Sequence, residues 1–313
     1  MTPRVCYFIQ SHRDPEQIVR LVRTLRRGSE RGRIVVHHDS AGCALDWAPL
    51  AALPDTHLFR STGPQVRASF SCQAQPYLES IDRLEREGLE YDWLVNLTAQ
   101  DYPVKPVAEI EAFLGTTRSD GFISWWDVES PESPWSRRKA RHRYWYRYKR
   151  LPDRAEPALR ALRVLTRVLP IHFYLPYGAY LGVRTPHVPF RDGFRCYGGR
   201  TWFSLRRRVA LYLRDFLAEH QEVEAHYRGT VAPEESIVQT VLVNASRFAL
   251  VNDDLRYIDY TNAWKGHPRT LTVADLPLLA AGGWHFARKF DLAVDREVLD
   301  RIDRELLGIE PGG

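Results

Sequence analysis

Residues 5–39 read VCYFIQSHRDPEQIVRLVRTLRRGSERGRIVVHHD, and their punctuation decides the fold. Val5-Cys6-Tyr7-Phe8-Ile9 is a short unbroken apolar run, the pattern of a buried strand. Asp14-Pro15 follows, and Ile18, Val19, Leu21, Val22 and Leu25 then recur at helical spacing. Asp at the N-cap and Pro at the first helical position give this helix its expected start. Gly28 and Gly32 bracket its end, and Arg33 to His38 returns to a strand that stops at Asp39.

The same alternation continues outward. Thr56 to Arg60 reads as a third strand, residues 70–87 as a helix, and Tyr91 to Leu97 as a fourth strand. Val107 to Leu114 is a short helix and Gly121 to Trp126 a fifth strand. Strands spaced by helices imply βαβ units and a mostly parallel central sheet flanked by helices, an α/β fold. Ligands of such sheets bind beyond the carboxyl ends of the strands. Those ends carry Ser11-His12-Arg13, His38-Asp39 and Gln100-Asp101. Later, Tyr197 to Leu205 precedes a helix that runs to about His220, and Ala232-Pro233-Glu234-Glu235 precedes a helix over Ser236 to Val243. Strand-like Arg247 to Val251 and Leu255 to Tyr260 follow, then a helix from about Thr272.

The chain has 313 residues, 44% hydrophobic and 27% charged, with a net charge of +5. That balance excludes disorder for its bulk, and the length suits one large α/β domain or two small ones, of which a single domain over 1–313 is expected. The chain is expected to divide into a first half over 1–128, a basic aromatic insertion with a helix over 129–170, and a second half over 171–313. Only Lys105, Lys139, Lys149, Lys265 and Lys289 are lysines, so the positive charge is mostly arginine. It concentrates in residues 131–150, PESPWSRRKARHRYWYRYKR. That stretch reads as a packed surface loop, as a lip over an anionic or sugar-bearing substrate, or as a nucleic-acid groove. Residues 155–169 read as a basic amphipathic helix whose stripe (Leu159, Leu162, Val164, Leu165, Val168) is expected to pack on the core. No stretch approaches the ~18 apolar residues of a membrane span. Cys6, Cys43, Cys72 and Cys196 lack CxxC spacing, so free thiols in a reducing cytosol are expected.

Several chemistries lack their residues. The first strand is followed by Gln10-Ser11-His12 where a dinucleotide fold has GxGxxG, and no P-loop, HExxH, GxSxG or D-x-D occurs. His37-His38-Asp39 could offer a metal at most His37 and Asp39, since alternate strand residues share a face. Glu234 and Glu235 follow Pro233 at a helix start. One suits the helix dipole and the other a general base. Arg288-Lys289, between Phe286 and Phe290, reads as a surface pair or as a diphosphate clamp. With Arg269 it would neutralise a leaving group without a metal.

Six segments together resemble the core-2/I-branching enzymes and peptide O-xylosyltransferases of glycosyltransferase family 14. They are YFIQSHRD, VVHHD, WLVNLTAQDYPVKP, YGGRTWFSL, APEES, and HPRTLTVADLPLL with FARKFD, in the family's order from about residue 4 to 291. The resemblance implies a GT-A-like fold, a UDP-sugar donor, a glycan or other hydroxyl-bearing acceptor, inversion and no required metal or other cofactor. It implies GlcNAc or xylose as the sugar, with glucuronate open. It places the base on Glu235, with Glu234 at the helix start. It places UDP on Gln10, His12, Asp39, Arg269, Arg288 and Lys289, and the sugar and acceptor wall on Asp101, Trp202 and Glu234. The family's Trp-Gly before a Ser is replaced here by Arg67-Ala68-Ser69. An inactive UDP-sugar- or carbohydrate-binding protein on the same fold is the alternative, and a nucleic-acid binder a further rival. Without an anchor or stem, the chain resembles a stand-alone bacterial catalytic domain. It is expected in the cytoplasm, with peripheral membrane attachment as the variant.

Overall fold

The first apolar run forms β1 (Val5–Ser11), buried at every position. On one side lie β2 (Arg33–His38) and then β3 (Thr56–Arg60); on the other lies β4 (Trp93–Thr98), and all four run parallel. A computed structural model describes residues 2–60, 65–261 and 267–310. Further along come β5 (Asp101–Pro103), β6 (Gly121–Ile123) and β7 (Trp126–Asp127). The basic insertion supplies β8 (Tyr146–Arg150), and β9 (Ile171–Tyr174) and β10 (Tyr180–Arg184) come after it. Then come β11 (Tyr197–Gly198), β12 (Phe203–Arg206), β13 (Leu250–Asn252), β14 (Arg256–Ile258) and β15 (Phe286–Arg288). The central sheet has seven strands in the order β13-β6-β12-β4-β1-β2-β3, and β12 runs antiparallel to both neighbours. A three-stranded sheet, β14-β15-β5, carries the C-terminal site residues.

Alternation along β1 divides the core in two. Val5, Tyr7 and Ile9 face the helix Pro15–Gly28 through Ile18, Leu21, Val22 and Leu25. Cys6 and Phe8 face the helices Ala74–Arg86 and Arg207–Glu219 through Tyr77, Ile81, Leu84, Val209 and Leu213. Each fully buried aliphatic or aromatic side chain contributes about 1.5–3 kcal/mol relative to exposure. All four cysteines are free thiols, and Cys6 is buried. No helix among the described residues is long and apolar enough to cross a membrane.

Four local expectations are corrected. Asp14 adopts a left-handed backbone (φ 55°), which turns its carboxylate from the helix N–H groups; it pairs with Arg13 Nε at 3.0 Å. The expected strand over 121–126 splits into β6, in the central sheet, and β7, paired with β11. Residues 131–150 are structured: Ser136 caps a helix Arg137–Tyr144, and β8 is an edge of the β8-β10-β9 sheet. The stretch 155–169 forms a helix only over Glu156–Ala161, followed by a 3₁₀ segment Leu162–Arg167. Pro170 disfavours helix at Leu169, and β-branched Val164, Thr166 and Val168 weaken it further. The tighter 3₁₀ turn rotates the apolar stripe off the core, so Leu159 is buried but Leu162, Val164 and Val168 are not.

Candidate active site

The ends of β1 and β2 form one corner. Asp39 N–H donates to the Ser11 carbonyl at 2.8 Å, and Asp39 Oδ1 accepts from Ala41 N–H at 3.0 Å. His38 Nε2 donates to the Cys43 carbonyl at 2.8 Å, so its Nδ1 accepts from Ser11 Oγ, also at 2.8 Å. A Cβ on Gly42 would lie 2.0 Å from the His12 carbonyl oxygen, so only glycine lets this loop close on β1. Gln10 Nε2 donates to the Gln73 carbonyl at 3.1 Å. His12 is exposed; partial burial lowers its pKa, and the Arg13 and Arg67 charges lower it further. The structure thus brings Gln10, His12 and Asp39 together at one strand edge. Among the described residues no three His, Cys, Asp or Glu side chains gather as metal ligands.

β5 and β15 form the second wall. Asp101, 1% exposed, accepts from Thr98 Oγ1 at 2.9 Å and from Trp202 Nε1 at 3.2 Å. Its other oxygen lies 3.5 Å from Arg288 Nη1, and the Arg288 guanidinium sits 4.0 Å over the Trp202 ring. Asp101 and Trp202, expected at the sugar or acceptor wall, are both buried beneath Arg288 and fix its position. Lys289 is half-buried, and its pKa is lowered by desolvation and by the Arg13 and Arg288 charges. His267 is lowered by desolvation and by Lys289, Arg67, Arg288 and Arg13. Arg13, Arg67, His267, Arg288 and Lys289 therefore feel one another, a clustering of like charge that suits an anion.

Arg13 and Arg67 were not singled out from sequence as site residues. Arg67 is exposed, and its carbonyl accepts from Tyr180 Oη, which fixes the backbone. Next to it Ala68 turns left-handed (φ 60°), and its carbonyl accepts from Ala232 N–H at 2.9 Å, tying this turn to the acidic one. Arg269, expected among the UDP-binding cations, is held by two carboxylates. Its Nε donates to Asp259 at 2.6 Å, and its Nη atoms form a bidentate pair with Asp275. It staples this loop beside Lys289, whose carbonyl accepts from Leu271 N–H at 2.9 Å.

The third wall is the 3₁₀ turn Pro233–Glu235, which precedes the helix Ile237–Ala245. Gly199 N–H donates to the Glu235 carbonyl at 2.8 Å; a Cβ on Gly199 would lie 2.0 Å from the Ser124 carbonyl. That explains the second glycine of YGGRTW. Arg143 Nη1 donates to Glu235 Oε2, and its guanidinium also lies 4.6 Å over Trp135. Sequence reading gave this arginine no such role, because its partner is remote in the chain. Glu234 is the more deprived carboxyl: Oε2 is buried without a partner among the described residues. Burial, then the Glu235 charge, raise its pKa to about 8.

Two tyrosines join the walls. Tyr260, 44% exposed, feels both Arg288 and Glu235. Tyr177 feels Glu235 and packs edge-on against His267 at 5.5 Å. Tyr260 and Tyr177 thus lie within the field of both the cationic and the acidic groups.

A mostly parallel sheet with these groups at its strand ends is a GT-A-like arrangement. The chain belongs to the Core-2/I-Branching enzyme family, whose model matches residues 6–278. It is 30% identical over 240 residues to the beta-glucuronosyltransferase GlcAT14A of Arabidopsis thaliana, covering 73% of this chain and 46% of that protein. It is 28% identical over 336 residues to GlcAT14B of the same plant, covering 99% and 69%. Xylosyltransferase 1 of Rattus norvegicus matches at 27% over 257 residues, 76% of this chain and 27% of that protein. The chain thus spans about half the length of the first relative and about a quarter of the xylosyltransferase.

Proposed function

We propose that the chain is an inverting glycosyltransferase that moves a sugar from a UDP-sugar to an acceptor hydroxyl. Family membership supports this reading, as do the cationic and acidic groups that both act on Tyr177 and Tyr260. Glu235 takes the proton from the acceptor hydroxyl as its oxygen attacks C1. The C1–O bond to the diphosphate breaks on the opposite face, and the electron pair leaves with UDP. Arg288 and Lys289, joined by Arg13 and Arg67, stabilise the charge that develops there without a metal. Gln10, His12 and Asp39 hold the uridine side. Glu234 remains beside the base as a largely protonated, uncharged neighbour at neutral pH. Localisation follows the sequence expectation, in the cytoplasm.

The single observation that carries the reading is the carboxylate of Glu235, held by Arg143 and still 33% exposed. General-base catalysis contributes roughly 10²–10⁴-fold, so Glu235→Gln should lose that much transfer. Gln keeps an acceptor for Arg143, and UDP affinity should stay near wild type. Full turnover by Glu235→Gln overturns the assignment. The donor sugar is expected to be GlcNAc or xylose. The exposed Arg67 guanidinium favours a second reading in which a sugar carboxylate, as in UDP-glucuronate, finds a partner at the rim. A thermal-shift comparison of the three UDP-sugars decides it, since donor at ~100 times Kd adds about 2.7 kcal/mol of stability.

A further inference from the structure

The helix Arg137–Tyr144 sends Arg143 inward to Glu235 and opens elsewhere onto a second cleft of ≈ 420 Å³. Arg137, Arg138, Arg141, Arg184, His142 and Tyr146 line it. His142 stacks on His172 of β9, with ring centroids 3.9 Å apart. β9 comes directly after the run that leaves the core. There Leu162 is 46% exposed, Val164 61%, Val168 79% and Leu169 48%. Arg163 and Arg167 are interleaved with them. Arg138 of the cleft and Arg163 of the run both act on the His172 imidazole, so the two features adjoin.

The charge of this face is largely unneutralised. Glu129 pairs with Arg141, and Glu156 with Arg160. Among the described residues no ion pair neutralises Arg138, Arg163, Arg167 or Arg184. A second copy docked about a two-fold axis would oppose arginine to arginine. A polynucleotide would meet the arginines and leave four exposed aliphatic side chains in water. Aliphatic side chains rimmed by cations match an anionic bilayer, whose lipid phosphates lie just above an apolar layer.

We propose that this face docks on the surface of an anionic lipid bilayer. Leu162, Val164, Val168 and Leu169 enter the boundary between headgroups and acyl chains. Arg163, Arg167 and the cleft arginines meet lipid phosphates. Because one helix serves both the cleft and Glu235, docking holds the acidic turn close to the bilayer.

The test is co-sedimentation of the full chain with phosphatidylcholine vesicles, with and without phosphatidylglycerol, at low and high salt. Binding to the anionic vesicles only, weakened by salt, is expected. Val164→Asp with Val168→Asp, and separately Arg163→Glu with Arg167→Glu, should each lower partitioning by on the order of tenfold or more. Unchanged melting temperatures and UDP affinities show that these variants remain folded. The proposal is overturned by equal binding to both vesicle types, by no binding, or by variants that bind like wild type. Self-association abolished by Val164→Asp, with no vesicle binding, assigns the face to a second copy and equally overturns it. Polynucleotide binding indifferent to the valine changes overturns it too. UDP affinity is read separately, so failure of the transferase reading leaves this test intact.

Discussion

Arg143 and Glu235 stand 92 positions apart in the chain and are joined by a direct ion pair from Nη1 to Oε2. The Arg143 side chain is 13% exposed and that of Glu235 33%. The pair holds the carboxylate through Oε2; in the proposed mechanism Oε1 is the oxygen that takes the hydroxyl proton. Misplacing a catalytic group by about 1 Å can lower rate by about 100-fold. Arg143→Met should therefore lower kcat on the order of 10–100-fold, with donor KM changing less. Arg143→Lys should recover part of it. Steady-state kinetics check this; equal kcat in wild type and Arg143→Met would leave the ion pair a purely structural contact.

Asp101 and Arg288 make the second long-range relationship, and here burial is deeper. Asp101→Ala strands the Arg288 guanidinium against the Trp202 ring with no carboxylate. Breaking a buried pair in this way costs about 3–5 kcal/mol. Asp101→Asn keeps an acceptor for Thr98 and Trp202 and should cost less. Denaturant titration of both variants tests the order. If Asp101→Ala is the milder change, Asp101 does not anchor Arg288.

The cation wall predicts a division of labour. Lys289→Met removes a charge that no ion pair neutralises among the described residues, and UDP affinity should fall by roughly tenfold. Arg269→Met removes a guanidinium already held by Asp259 and Asp275, and should lower thermal stability more than UDP affinity. Calorimetric UDP titrations separate the two. Transfer should also survive excess EDTA; activity lost to EDTA and restored by manganese would reject a metal-free leaving-group site. Arg67→Met should narrow the thermal shift from UDP-glucuronate more than that from UDP-xylose, and equal narrowing would place Arg67 at the diphosphate.

Burial determines which of these features the sequence made legible. β1 and β2 are buried on both faces, so Val5 to Ile9 and Ile34 to Val36 read as apolar runs, and the helix between them carries a broad apolar stripe. The helix Arg137–Tyr144 buries only Ala140 and Tyr144, too few positions to show a period among arginines. The stripe over 155–169 has a period, but Pro170 and three β-branched residues override it. Glu234 and Glu235 were visible as a pair, and Arg288-Lys289 as adjacent cations. Which carboxyl loses water, and which arginine is already occupied, depends on partners far away in sequence. Asp259 and Asp275 on Arg269, and Arg143 on Glu235, are such partners.

Glu234 provides a pH test with a definite sign. Its folded pKa of about 8 lies above its ordinary value of 4.5, because burial and Glu235 disfavour the charged form. Between those two values the folded state holds a proton that the unfolded state has released. Stability therefore falls as pH rises from about 4.5 to about 8, then levels off. Glu234→Gln carries no such proton and should escape this loss. Partial exposure of the side chain reduces the effect, and a gain on the order of 2 kcal/mol over wild type is expected at pH 8.5, with little difference near pH 4.5. Denaturant melts of both proteins across that range measure it. A difference between the two proteins that stays constant with pH would mean that the Glu234 carboxyl is solvated and ionised like any surface glutamate. Its role beside Glu235 would then be that of a second negative charge rather than of a neutral neighbour.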